Sequence, residues 1–273
     1  MPASFEEFDE AAWDHCDGLF EAWKTGLYDK DFYYEVARKV VKHSGGGDAV
    51  ELCAPQRGGF NVYYRVRTAR GSGALIRFPQ PAYFRDAEEK ILAEVATMRY
   101  ISKNTTIPIP LVFHHGSREE SPGGLGPFII LGWVENNGDL VDVMNTPGLT
   151  LEDTPLFNMN IDEAKLEHLY LQVADILLQL SQCEFPAIGS LGLSNASQAD
   201  KPEVQTRPLS INISQLANFA RVPHFTLPSP SKTFSTASEY YSALADMHLQ
   251  QLSFQRNQAV DSADDCRKKY IAR

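Results

Sequence analysis

Cysteine is scarce and scattered in this chain: Cys16, Cys53, Cys183 and Cys266 form no CxxC pair, which argues against a zinc site and a compact disulfide framework. A reduced compartment, the cytoplasm, is the expected setting. Long apolar runs are missing as well. The longest uncharged one, Leu125 to Val134, contains Gly126, Pro127 and Gly132 and is too short to span a bilayer, so it reads as a buried strand and no membrane partner is expected. Positive charge is in deficit, with 25 Lys and Arg against 35 Asp and Glu and a formal net charge of -10, which weighs against a general nucleic-acid binder. Met1-Pro2-Ala3-Ser4 leads into acids rather than a basic and then apolar stretch, so nothing directs export. Internal repeats and low-complexity tracts are absent too.

What is present supports a folded globular protein, because 273 residues at 43% hydrophobic content can bury a substantial core. Charge is unevenly spread. Residues 1 to 35 hold ten acids against Lys24 and Lys30, while residues 65 to 103 hold eight bases against Asp86, Glu88, Glu89 and Glu94. An anionic ligand would be favoured on the second stretch, although most such charges in proteins are ordinary solvated ones.

The spacing of Leu19, Phe20, Trp23, Phe32, Val36 and Val40 predicts two helices within 12–43, broken by Ser44-Gly-Gly-Gly47. Val50 to Cys53, Phe60 to Arg67 and Ala74 to Phe78 are β-prone runs separated by turn residues. A helix from about Asp86 to Lys103 follows, stopped by Ile107-Pro-Ile-Pro110, and then come strands at Leu111 to His115 and Phe128 to Val134. The expected fold class is therefore α+β: an antiparallel five-stranded sheet with one helix at 48–136, preceded by a helical extension at 1–47. A helical region at 137–273 should carry long helices at 162–183 and from Thr236 to about Asn257. Between these, the Ser, Pro and Asn-rich residues 194–234 read as a long surface loop insertion. Asp261 and Ser262 open a last helix that runs to Arg273 without a stop signal.

Glu94 points with the apolar side chains of its helix, at helical spacing from Ile91, Met98 and Ile101. A carboxylate there needs a cation, and Arg77 in the middle of the preceding strand is the natural one. A core-stapling ion pair, or a Glu at the stripe's edge reaching water, are the plainer alternatives. The order of elements adds weight to a functional reading. Arg57-Gly58-Gly59-Phe60-Asn61, Ala74-Leu-Ile-Arg77 and Glu94 follow the kinase pattern of glycine-bearing hairpin, strand cation and helix glutamate. Asn61 is then positioned to donate its amide to a phosphate oxygen.

With these segments the chain resembles the aminoglycoside phosphotransferase-related group, and within it the large fungal branch. Further matching strings are Glu94-Val-Ala-Thr-Met-Arg-Tyr-Ile101, Ile107-Pro-Ile-Pro110, Gly126-Pro-Phe-Ile-Ile-Leu131, Phe185-Pro-Ala-Ile-Gly-Ser-Leu191 and Gln255-Arg-Asn257 through Cys266 to Tyr270. The resemblance implies a protein-kinase-like fold, with ATP and Mg2+ as cofactors and a small-molecule hydroxyl as phosphate acceptor. It also implies that Gly58, Gly59, Phe60, Asn61, Arg77 and Glu94 would serve the phosphates. Leu131 to Val134, including Trp133, would form the hinge whose backbone meets adenine. The family's His-Gly-Asp…Asn loop and later metal-binding Asp do not occur: none of the seven histidines is followed by that pattern, and His114-His115-Gly116 continues with Ser117. No catalytic residue and no Mg2+ ligand is therefore assigned, and the chain is expected to be a truncated, inactive form with an incomplete helical lobe. A non-catalytic nucleotide- or protein-binding module, or a protein with no ligand at all, are the competing readings.

Overall fold

The computed structural model describes residues 10–69, 71–81, 83–136, 138–149, 153–193, 203–218, 222–254 and 262–272. Of the positions named in the sequence, Met1 to Ser4, Gln255 to Asn257, Asp261 and Arg273 lie outside these. The chain opens with α1 (Glu10–Leu27) and α2 (Lys30–His43). Asp29 divides them by accepting hydrogen bonds from the backbone N–H groups of Asp31 and Phe32, at 2.8 and 3.1 Å, which satisfies donors at the start of α2. The stripe Phe20, Trp23 and Leu27 on α1 is buried, as are Phe32, Val36 and Val40 on α2. Gly45, Gly46 and Gly47 then turn the chain with φ of 95°, 75° and 108°, a region open chiefly to glycine.

The strands are β1 (Ala49–Leu52), β2 (Gln56–Arg57), β3 (Asn61–Thr68) and β4 (Gly71–Pro79). After α3 (Ala87–Asn104) come β5 (Val112–Gly116) and β6 (Phe128–Gly132). They form one antiparallel sheet of six strands in the order β1-β3-β4-β6-β5, with β2 also paired to β3. Six rather than the expected five strands arise because Gln56 and Arg57 pair with Tyr63 and Val62, confining the turn to Gly58–Phe60.

The two faces of this sheet differ, as a period of two requires. Val62, Tyr64, Val66, Ala74, Ile76, Phe78, Phe128 and Ile130 are buried against α1 and α2. The Tyr64 hydroxyl donates to the Leu27 carbonyl at 2.7 Å, and Trp23 Nε1 donates to the Leu125 carbonyl at 2.8 Å. The N-terminal helices thus share a core with the sheet. On the other face Ile129 and Leu131 pack with Ile91 and Val95 of α3, beside Leu75.

The second half contains α4 (Leu140–Met144), α5 (Glu163–Ser181), β7 (Ser190–Gly192), β8 (Glu203–Thr206), α6 (Ile211–Asn218), α7 (Ala237–Phe254) and α8 (Ala263–Ala272). The described part of 194–234 is not a surface loop. It carries β8 and α6 and buries Ile213, Leu216, Ala217, Val222 and Leu227 in the main core. Prolines and serines around one short apolar helix had hidden that pattern. By contrast, no residue of α5 is buried, and Tyr170, Leu171, Leu177 and Leu178 are 58–66% exposed. Among the described residues no helix is long and apolar enough to cross a membrane.

Candidate functional site

Arg77 sits mid-strand in β4, opposite Tyr63 on one side and Ile129 on the other, so its side chain shares the face that carries α3. Its guanidinium pairs with the Glu94 carboxylate. Lys90, one helical turn earlier, holds the other carboxylate oxygen at 2.6 Å. The three side chains are only 19–26% exposed. Burial by itself would raise the Glu94 carboxyl, but the charges of Arg77 and Lys90 outweigh it and hold the group below the ordinary carboxylate range. Burial wins at Lys90, pushing it below the usual lysine value despite Glu94. Lys90 also lies 5.0 Å from the centroid of the Phe84 ring. Sequence reasoning passed over Lys90, although its i,i+4 spacing from Glu94 was a usable signal.

Two cations on one carboxylate leave one positive charge uncompensated. The hydrogen-bond inventory points the same way. Arg77 Nε, Asn61 Oδ1 and Trp133 Nε1 are each buried without a hydrogen-bond partner among the described residues. Native structures rarely leave such groups unmet, and a bound molecule or water is the usual remedy. Asn61 starts β3 on the same face as Arg77, two positions from the residue that Arg77 opposes. It presents a carbonyl oxygen that asks for a donor, such as a sugar hydroxyl, in place of the amide expected for a phosphate oxygen.

The glycine turn is organised by a residue that sequence reading missed. Gln80 is fully buried; its Nε2 donates to the Gly58 carbonyl at 2.9 Å, its Oε1 accepts from Arg57 Nε at 3.1 Å, and its backbone N–H donates to the Phe60 carbonyl at 2.9 Å. The Arg57 guanidinium in turn lies 3.8 Å over the Phe20 ring of α1. A Cβ on Gly59 would meet nothing within 4 Å, and one on Gly58 would come no nearer than 3.7 Å to the Asn61 carbonyl. These glycines therefore leave the turn's backbone uncovered rather than relieving strain. Phe60 packs on Tyr83 and Phe84, with centroids 5.4 and 5.9 Å apart, not beside Arg77.

At the other end of the same face, the Arg65 guanidinium stacks 4.0 Å over the Trp133 ring and pairs with Glu135, while Tyr63 lies 6.2 Å from that ring. Leu131 is 5% exposed and sits between Leu75 and Val112 within the sheet. The Gly132 and Trp133 N–H groups donate to the Leu111 and Gly73 carbonyls at 2.8 and 3.3 Å. The hinge donors at 132 and 133 are thus engaged by the sheet, and the Trp133 ring is what remains for a planar ligand. Asn61 and Arg65 are four residues apart, roughly 13 Å along an extended strand. A basic, hydrogen-bond-hungry end and an aromatic end therefore lie on one surface at that separation.

Among the described residues no group of three or more His, Cys, Asp or Glu is arranged to hold a metal ion. Glu94 is a poor Mg2+ ligand here, since both its oxygens already face cations.

Comparison with known proteins adds little constraint. No family model matches the chain. Subtelomeric hrmA-associated cluster proteins from two strains of Aspergillus fumigatus are 29% identical to it over 134 residues, covering 49% of this chain and 23% of each relative. The match thus spans about a quarter of those relatives' length. Among solved structures, the GDP and kanamycin complex of APH(2")-IIia is similar with a TM-score of 0.37 and 16% identity, covering 56% of this chain and 42% of that one.

Proposed function

We propose that this chain is a kinase-like nucleotide-binding protein related to the aminoglycoside phosphotransferases, and that on its own it binds nucleotide without transferring phosphate. The observation that carries the reading is the Arg77–Glu94 pair between β4 and α3, with Lys90 as a second cation on the same carboxylate. In this reading the nucleotide lies along the inner face of the sheet. Its phosphates meet Arg77 and Lys90, and its base stacks on Trp133. Gly58 and Gly59 give close backbone approach beneath Gln80. Glu94 holds Arg77 in place rather than touching the ligand.

Phosphoryl transfer depends on a positioned nucleophile and on neutralisation of the phosphates, and the sequence contains no His-Gly-Asp…Asn segment to supply them. Transfer to a small-molecule hydroxyl would belong to a longer protein carrying that segment. The test is calorimetric titration of the chain with ATP, ADP and GTP, together with a coupled assay for ATP hydrolysis. Binding should weaken at least tenfold in Arg77→Ala and in Trp133→Ala, and no turnover should be seen. Failure of all three nucleotides to bind at millimolar concentration, or unchanged affinity in Arg77→Ala, would refute the reading.

A further inference from the structure

A concavity lies between α3 and the β7–β8 hairpin and reaches Lys90 and Glu94 of the Arg77 cluster at one end. This groove has a volume of about 570 Å³, within the range of roughly 300–1,000 Å³ usual for small-molecule sites. One wall is a single face of α3 from Lys90 to Ile101, twelve residues that span roughly 16 Å at the helical rise. The opposite wall is built by Leu180, Phe185, Leu191 and Val204. The Tyr100 and Phe185 rings meet at 5.0 Å, yet Leu180 and Phe185 remain 38% and 41% exposed to water. Charge is confined to the Lys90 and Glu94 end.

We infer that this groove binds an elongated amphiphilic small molecule with an anionic head, the head at Lys90 and the apolar body between α3 and the β7–β8 hairpin. The sign of the head follows from the cluster at that end: Glu94, which lines the groove, is shared between Lys90 and Arg77, so the cluster keeps one excess positive charge that an anion balances and a cation worsens. An ammonium has three donors, and among the described residues Glu94 is the carboxylate Lys90 pairs with, which leaves donors for a second anion. The length and apolar walls select a chain or a fused ring over a compact polar metabolite. The apolar body lies away from Trp133 and Asn61, but the head shares Lys90 with the proposed phosphate site, so Val204→Trp, which leaves Lys90 in place, separates this inference from nucleotide binding.

The probe is decanoate, compared with decyltrimethylammonium, which has the same chain and the opposite head. Calorimetry should show decanoate binding at least tenfold more tightly. Cys183 lines the groove, so decanoate should slow its alkylation by N-ethylmaleimide while the exposed Cys266 reacts at an unchanged rate. Val204→Trp, which fills the groove, should abolish decanoate binding, and Lys90→Gln should erase the preference between heads. Equal affinity for the two heads, unprotected Cys183, or full decanoate affinity in Val204→Trp with an unchanged circular dichroism spectrum would overturn the assignment. The protection measurement uses the unaltered chain, so a variant that fails to fold leaves the outcome decidable.

Discussion

Replacing Arg207 by methionine should unfold this protein more readily than any single change at the candidate site. Arg207 is 3% exposed. Its Nε and Nη2 meet the Glu89 carboxylate at 3.1 and 2.8 Å, Nη2 also meets Asp86 at 2.7 Å, and Nη1 donates to the Pro228 carbonyl at 3.0 Å. The side chain thus ties the segment between β8 and α7 to the first turn of α3. It also explains why Asp86, at the start of α3, makes no capping bond of its own. Breaking a buried charge cluster by deleting one partner costs about 3–5 kcal/mol. Asp86 and Glu89 keep 30% and 19% of their side-chain exposure, so water can partly replace the guanidinium. Discounted for that, the loss is about 2–4 kcal/mol, or roughly 5–12 °C in the unfolding midpoint. Arg207→Lys should fall between, since lysine keeps the charge and loses the two-pronged geometry. Urea unfolding followed by circular dichroism measures both variants. A methionine variant within about 1 kcal/mol of the parent would refute the clamp and make Asp86 and Glu89 water-stabilised charges.

Three further changes should have separable signatures. Glu94 titrates lower in the folded than in the unfolded chain, so its contribution is complete above about pH 4.3 and is lost as pH falls through the folded value; Glu94→Gln should cost about 1–2 kcal/mol at neutral pH and flatten urea midpoints below pH 4.3. Gln80→Leu keeps the buried volume but orphans the Gly58 carbonyl and frees Arg57; a loss of about 1–3 kcal/mol, with faster hydrogen exchange confined to 57–61, is expected. His114 of β5 stacks on His43 of α2 with centroids 3.7 Å apart, and burial first, then His43 and His115, pushes it down to about 4, against the pull of Glu120. Between about pH 6.5 and 4 only the unfolded chain takes up that proton, so stability falls as pH drops through this window. His114→Phe should reduce that slope by about 1–2 kcal/mol once partial exposure is allowed for, leaving the smaller share of His43 and His115, which burial also holds low, and an unchanged slope would assign it elsewhere.

The parts legible in the sequence are those set by local pattern. Alternation along Val62, Tyr64 and Val66 reveals which way β3 faces, and a lone acid on an apolar helix face marks Glu94 and points to the strand cation Arg77 as its partner. What escaped depends on residues distant in the chain. Arg207 meets Glu89 and Asp86 across 118 and 121 residues, and nothing in a serine- and proline-rich neighbourhood marks it. Gln80 is uncharged and ends a strand, so no periodicity sets it apart. The hinge reading failed differently: an apolar run with glycine suggests a strand edge, but only the register shows that Gly132 and Trp133 spend their N–H groups on Leu111 and Gly73.

The same partner structure limits how strongly a nucleotide can bind. The basic stretch from 65 to 103 suggested a broad attraction for anions, yet Arg65, Arg67 and Arg77 each face a carboxylate, namely Glu135, Glu51 and Glu94. Arg57, beside the glycine turn, is held by Phe20 and Gln80 instead. What remains for phosphates is the excess charge of the Arg77–Lys90–Glu94 cluster and one open Arg77 N–H. A hydrogen bond to a charged group contributes about 1.5–3 kcal/mol, and base stacking on an aromatic ring about 1–3 kcal/mol. Together these amount to about 2.5–6 kcal/mol, a dissociation constant from about ten millimolar to tens of micromolar. Affinity much tighter than that would mean that Arg65 leaves Glu135, or Arg57 leaves Phe20, to join the ligand.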